Sequence, residues 1–242
     1  MRPLCYCLAL FILLIGSRVE CGQALLLNTD DIYPRATLQG TGINDQIIGE
    51  AFRRSGLRVK IVVVPAERAL VNADKGIDDG IFVRIAGIDK IYPNLVMVPE
   101  KICEYEFVVF TMNPAIQISD WASLKPYHAG IVTGWKILEA NIVGTRSLTK
   151  VRDPEALFSL LAHERVDLVV FDRIKGNALI RKRRMTGVKA VDPPLATRDM
   201  FLYLNRRHSG LVPALTMALR EMKRDGTFEG IVSSVLSQLD EE

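Results

Sequence analysis

Cysteine and histidine are scarce in this chain of 242 residues, and neither sign of charge is in clear excess. Of four cysteines, Cys5, Cys7 and Cys21 stand near the N-terminus, and Cys103 alone follows. An intrachain disulfide beyond residue 24 is therefore excluded, and stability has to come from packing, for which the length suffices. Cys103 follows Ile102 and precedes an apolar run. That is the setting of a buried, inert thiol, with a catalytic thiol as the alternative. His128, His163 and His208 are scattered without close-spaced ligand partners, which leaves metal catalysis unsupported. No Gly-x-Ser-x-Gly elbow and no phosphate-binding P-loop occurs. The formal net charge of +3 is no nucleic-acid footprint, so no nucleic-acid partner is expected.

Long apolar runs are also missing, with one exception at the start. Arg2 supplies a positive n-region, Leu4 to Ile15 is almost wholly apolar, and Gly16-Ser17 follows. This is short for a membrane span and fits a secretory signal peptide over residues 1–24, cut after Ala24 or a residue or two earlier. Val19-Glu20-Cys21 puts a bulky acid where lipoprotein processing wants a small residue. A retained N-terminal anchor is the other alternative. The expectation is a periplasmic protein that is soluble once the leader is removed.

What remains alternates short strand-like runs with longer segments of helical period, the pattern of an α/β fold. Residues 25–28, 59–64, 80–83, 107–111, 129–132, 168–171 and 200–204 read as strands, and residues 44–55, 66–74, 136–141, 154–163 and 209–225 as helices. Asn44 is a candidate N-cap and Gly56 a left-handed stop. Asp153-Pro154 is an N-cap with proline at the first helical position. The basic run Arg181-Lys182-Arg183-Arg184 reads as the solvated end of a helix, with a docking patch for an anionic partner as the alternative. No repeat, low-complexity tract or long linker occurs. The extended stretches 107–114 and 193–201 are candidates for a double crossover between lobes, which would make a hinge.

Several motifs then carry a resemblance. Thr29-Asp30-x-x-Tyr33-Pro34, Gly42-Ile43-Asn44, Pro65-x-x-Arg68-Ala69 and Gly76-Ile77-Asp78-Asp79-Gly80 resemble the first lobe of family 3 of bacterial extracellular solute-binding proteins. These are the polar amino-acid binding components of ABC importers and their relatives. Gly130-Ile131-Val132-Thr133-Gly134 and the run from Val166 to Asp172 resemble strands of the second lobe, and Asn205 to Gly226 the closing helix. The resemblance covers nearly the whole chain after the leader. It implies a two-lobe α/β fold of the type II periplasmic-binding-protein kind, with lobes joined by two crossover strands. Lobe 1 would comprise residues 25–110 plus 199–242, and lobe 2 residues 111–198.

In such a fold a small molecule sits at the carboxyl ends of strands, where helix N-termini also point. Asp30 and Tyr33 fall just past the first strand; Tyr33 is a stacking face or loop packing, and Asp30 a hydrogen-bond acceptor or turn cap. Arg68 offers a bidentate carboxylate clamp, or else an ordinary ion pair with Glu67 or Asp74. Arg84 follows a strand and is a second clamp candidate. Members that bind amino acids usually carry Thr-x-x-Arg after this strand, where this chain has Ile88-Asp89-Lys90-Ile91-Tyr92. Trp135 and Lys136 stand where the family commonly has Ser and Thr. Trp135 is either a pocket wall or lobe core, and Lys136 either an anion ligand or a solvated side chain. Asp172 matches the family's amine-binding acid, with Arg173 as a neighbour able to neutralise it.

The leading expectation is a monomeric periplasmic protein, without cofactor or catalytic residues. It would capture a small polar, amino-acid-like or carboxylate-bearing solute for an ABC importer, with a membrane permease as partner. One alternative is a ligand-sensing or partner-binding module read by a membrane receptor. The other is a dehydratase-like enzyme on the same scaffold, with Asp172 or Glu67 as acid or base.

Overall fold

The computed structural model describes residues 24–240, so the expected signal segment, apart from its last position, lies outside the described residues. The chain opens with strand β1 (Leu25–Thr29), helix α1 (Ile43–Arg54), strand β2 (Val59–Val63), helix α2 (Ala66–Asp74) and strand β3 (Gly80–Ile85). Two further strands follow, β4 (Leu95–Met97) and β5 (Cys103–Thr111). A second α/β run comprises β6 (His128–Val132), α3 (Lys136–Asn141), β7 (Ser147–Val151), α4 (Pro154–Ala162), β8 (Leu168–Asp172) and α5 (Arg173–Lys182). The long strand β9 (Lys189–Asn205) leads back to helices α6 (Val212–Arg224) and α7 (Thr227–Asp240). No helix among the described residues is long and apolar enough to cross a membrane.

The strands form one curled sheet in the order β2-β1-β3-β9-β5-β8-β6-β7, with β4 also on β9. At one end β1 pairs in parallel with β2 and β3, and at the other β6 pairs in parallel with β7 and β8. The antiparallel pair β5 and β9 lies between these ends and is shared by both. The carboxyl ends of β1 and β8 therefore approach each other from opposite halves of the molecule.

Burial explains why these segments take these forms. All five residues of β8 are buried, as expected of a central strand covered on both faces. In α2, Ala66, Ala69, Leu70 and Ala73 recur at helical spacing and are buried; in α6, Leu215, Ala218, Leu219 and Met222 do the same. Asp153 accepts a hydrogen bond from the Ala156 amide and caps α4 as expected. Gly56 takes a left-handed φ of 70° just beyond α1.

The α1 cap is corrected. The helix starts at Ile43 behind Gly42, and Asp45 supplies the cap by accepting from the Gly42 amide at 3.1 Å and the Thr37 amide at 2.8 Å. Asn44 is drawn away from that role because its Nδ2 donates to Asp31 Oδ2 at 2.7 Å. The sequence reading also passed over β4, β7, α5 and α7. β7 has no buried residue, β4 is three residues long, and α5 begins with the charged, glycine-containing run Arg173-Ile174-Lys175-Gly176. These three carry no strong apolar period, whereas α7 does, with Phe228, Ile231, Val232, Val235 and Leu236 at helical spacing against the core.

Candidate functional site

Strand β3 departs from regular pleating just where it reaches the space between the lobes. Its register against β9 slips between Ile81 and Arg84, and Val83 takes a φ of 64°. A left-handed conformation in a β-branched residue is strained, and such strain gathers at ligand sites. Its consequence is geometric. In a regular strand successive side chains face opposite ways, yet Val83, Arg84 and Ile85 all line one cavity.

That cavity lies between β3 and the start of α3 and also takes in Asp30, Tyr105, Phe107, Trp135, Lys136 and Lys175. Its free volume is about 30 Å³, room for roughly two waters. Arg84 is 6 % exposed. Its Nη2 lies 2.7 Å from Asp30 Oδ1, but neither Nη2 nor Nε makes a hydrogen bond of proper geometry. The other oxygen of Asp30 accepts from Trp135 Nε1 at 2.8 Å. Trp135 in turn stacks on Phe171, with ring centres 4.7 Å apart and planes within 14°. Both readings of Trp135 thus meet in one side chain, packed against the core on one face and lining the cavity.

Beside it, Lys136 Nζ bonds Glu67 Oε2 at 2.6 Å and Glu139 Oε2 at 3.1 Å. Burial works against its charge, but the two carboxylates more than offset this and hold its pKa above the ordinary value. Tyr92 donates to the other Glu67 oxygen. Gly134, at φ 93°, comes so close to α2 that a Cβ there would stand 2.5 Å from the Glu67 amide nitrogen.

A second charged cluster is fully enclosed. Lys175 Nζ lies 2.8 Å from Asp31 Oδ1, and both side chains are within 1 % of complete burial. Tyr105 donates to the same oxygen at 2.6 Å. The Lys175 ammonium also stands over the rings of Tyr105, Trp135 and Phe171, at 4.5, 4.6 and 5.2 Å from their centres. Arg35 reaches Asp172 with Nε at 3.3 Å, donates Nη2 to the Glu104 carbonyl at 2.8 Å, and also stands over the Tyr105 ring, at 4.5 Å from its centre. Asp172 caps α5 by accepting from the Lys175 amide at 3.0 Å. Burial opposes ionisation of both acids. At Asp31 the charges of Lys175 and Arg35 win and lower the pKa, whereas at Asp172 burial outweighs Arg35 and Lys175 and the pKa is raised. Burial, reinforced by the Asp31 charge, pushes the Tyr105 phenol well up and keeps it a donor.

Of the residues singled out from the sequence, Asp30, Arg84, Trp135 and Lys136 converge on one cavity. Tyr33 does not join them; it lines a broad open recess of about 830 Å³ between the loop after β1 and the far end of α5, with Leu38, Arg181 and Lys182. Arg68 is exposed, because the apolar stripe of α2 turns it outward. Its two expected acid partners are engaged elsewhere: Glu67 holds Lys136, and Asp74 accepts from the Asn94 amide. Asp172 is buried and paired, and its partner is Arg35; Arg173 turns instead to Glu106 and Asp192. Lys175, Arg35, Asp31 and Tyr105 were missed. The spacing Asp172-x-x-Lys175 was the available signal, on a helix the periodicity did not reveal.

Burial pushes the Cys103 thiol up to about 12, which suits an inert cysteine. Among the described residues, no three His, Cys, Asp or Glu side chains converge on a metal position.

Comparison with known proteins bears on fold and kinship. An uncharacterized protein of Shewanella oneidensis is 30% identical over 192 residues, spanning 76% of this chain and 72% of its own length. This chain belongs to that protein's family. No family model matches the chain. Among solved structures, a histidine kinase sensor domain with similarity to periplasmic binding proteins aligns at a TM-score of 0.78 and 16% identity, over 88% of this chain and 96% of that one. The GluR0 ligand-binding core with L-glutamate aligns at 0.77 and 12%, over 89% and 99%. An ancestral arginine-binding protein bound to glutamine aligns at 0.75 and 19%, over 87% and 96%. At such identities the likeness concerns the fold alone, which is the two-lobe periplasmic-binding-protein-like fold expected from the sequence.

Proposed function

We propose that this chain is a periplasmic solute-binding protein. It captures a small polar, amino-acid-like or carboxylate-bearing solute between its lobes and delivers it to an ABC importer through a membrane permease. The lobes divide at residues 25–110 plus 199–242 and 111–198, with β5 and β9 as the hinge. The observation that carries this reading is Arg84, a buried guanidinium on a cavity wall whose Nε has no partner and whose Nη2 makes an ion pair with Asp30 but no hydrogen bond. Those two nitrogens form the edge that grips a carboxylate through two parallel hydrogen bonds. Asp30, Trp135 and Lys136 complete the walls. Ligand binding favours the closed arrangement to the extent that it contacts both lobes at once. An enzymatic role is less well supported. Glu67 and Asp172, its candidate acids and bases, are held by Lys136 and Arg35, and the solved structures of like fold are binding proteins and a sensor domain.

A second reading, a sensing module whose closed form is read by a membrane receptor, is favoured by one feature. The chain's own side chains leave only about 30 Å³ at the Arg84 cavity. A thermal-shift screen against amino acids, polyamines, dicarboxylates, monocarboxylates and small sugars tests the first reading. A ligand at a hundred times its Kd stabilises by about 2.7 kcal/mol, which such a screen detects. A stabilising solute whose effect disappears in Arg84→Gln supports capture at this cleft. Silence across the panel contradicts capture and transfers the case to the receptor reading.

A further inference from the structure

Donors and acceptors around the cavity are not in balance. Each acidic group near it is already engaged: Asp30 with Arg84 and Trp135, Asp31 with Lys175, Tyr105 and Asn44, and Asp172 with Arg35 and the Lys175 amide. Among the described residues, the buried side chains with an unpartnered acceptor oxygen, Asn28, Asn44 and Asp45, do not line the cavity. Asp30 Oδ1 and Arg84 Nη2 face each other at 2.7 Å as an ion pair without a hydrogen bond of proper geometry, so what remains wholly unused there is donor capacity at Arg84 Nε. A ligand that fits must bring acceptors.

The position for a cation is also taken. Three aromatic faces and a carboxylate make a site that attracts an ammonium group. Here Tyr105, Trp135, Phe171 and Asp31 form such a site, and it holds the ammonium of Lys175. The rest of the lining is largely apolar, with Val83, Ile85, Ile88, Phe107, Ile137 and Met200.

We infer that the cleft selects a small carboxylate with a short apolar body and no ammonium group, because Lys175 fills the cation site as a built-in substitute for a ligand amine. This rests on the solute-binding reading above. The space of about 30 Å³ is too small for such a molecule as it stands, so the lobes part to admit it; the carboxylate then docks on the Arg84 edge, and the apolar body lies against the β3 and α3 side chains. An α-amino acid is rejected because its ammonium meets two buried cations and finds its natural acceptors occupied. Burying an unpaired charge of that kind is costly.

The test uses pairs of ligands that differ only by the amine: 4-methylpentanoate against leucine, 3-methylbutanoate against valine, and succinate against aspartate. Thermal shift and calorimetry are read on the wild-type protein and on Arg84→Gln. The expected result is that the amine-free member of at least one apolar pair binds tenfold or more tighter than its amino acid, with Arg84→Gln losing tenfold or more. If the amino acids bind equally or better, or if only polyamines or sugars bind, this inference is overturned while solute binding stands. If no compound in the broader screen binds, both fail. Lys175→Ala gives a second readout. With the cage emptied, propylammonium is expected to raise the variant's Tm by several degrees at concentrations without effect on the wild type. A folded variant indifferent to propylammonium would overturn the built-in-amine account. Should Lys175→Ala not fold, the paired panel on the wild-type protein decides alone.

Discussion

Two charged clusters lie side by side, and they differ in how complete they are. Around Lys175, two acids face two bases, and the carboxylate oxygens of Asp31 and Asp172 all have partners. Around Arg84, one acid faces one base, yet two nitrogens of the guanidinium lack a hydrogen bond. Charge counting makes both neutral, whereas hydrogen-bond accounting separates them. A buried cluster that satisfies itself holds the lobes in register, and one that leaves donors over is prepared for something from outside. Net charge in a cleft is therefore a poor guide to its ligand, and the unpaired atoms are a better one.

The sharpest way to break this contrast is to damage the complete cluster. Lys175→Ala leaves Asp31 buried without its cation and is expected to cost about 3–5 kcal/mol in urea unfolding. The double change Lys175→Met with Asp31→Asn removes both charges and should recover most of the loss. A small effect of the single change would mean that the cluster is open to water. Damage to the incomplete cluster should read differently. Arg84→Gln is expected to weaken carboxylate binding by about 1.5–3 kcal/mol, the worth of a charge-assisted hydrogen bond, and, because it leaves Asp30 without its cation, also to lower the unfolding midpoint.

How much of this was visible beforehand follows from where the information lies. The fold was legible because parallel strands such as β8 bury continuous apolar runs and because caps such as Asp153-Pro154 mark their helices locally. Arg84 and Trp135 could be placed at the cleft from the ends of the strands that precede them. Lys175 could not, since its partner Asp31 lies 144 positions away in sequence and its cage is assembled from β5, β8 and the turn before α3. The bulge at Val83, which precedes Arg84, also has no local signature: valine is an ordinary strand residue, and its left-handed conformation falls in the slip between the paired residues Ile81 and Arg84 on β9. Arg68 shows the opposite error, in which a motif match suggested a contact that the apolar stripe of α2 precludes.

Smaller effects sharpen the account at the edges of the cleft. Gly134→Ala adds a Cβ against the α2 backbone at a positive φ and is expected to cost at least about 1 kcal/mol. It should also expand the particle in small-angle scattering as the lobes part; unchanged dimensions would mean that the contact yields locally. Asp45 provides a pH effect near the mouth of the 37–42 loop. Burial raises its pKa to about 6, against the hydrogen bonds from the Thr37 and Gly42 amides, and its Oδ1 has no partner. The folded state therefore takes up the proton more readily than the unfolded chain. Between pH 7.5 and 5 the wild type should gain about 1 kcal/mol of stability relative to Asp45→Asn, and a gap constant with pH would contradict this. Glu67→Gln, at a partly exposed ion pair with Lys136, should cost only about 0.2–1 kcal/mol and respond to salt.

The most direct test is a calorimetric titration of the wild type and Arg84→Gln with the carboxylate that raises the Tm most in the screen. One-to-one binding by the wild type, weakened tenfold or more in a variant that is still folded at the titration temperature, is the expected result. Equal affinity in both proteins would show that the spare donors of Arg84 are not the site.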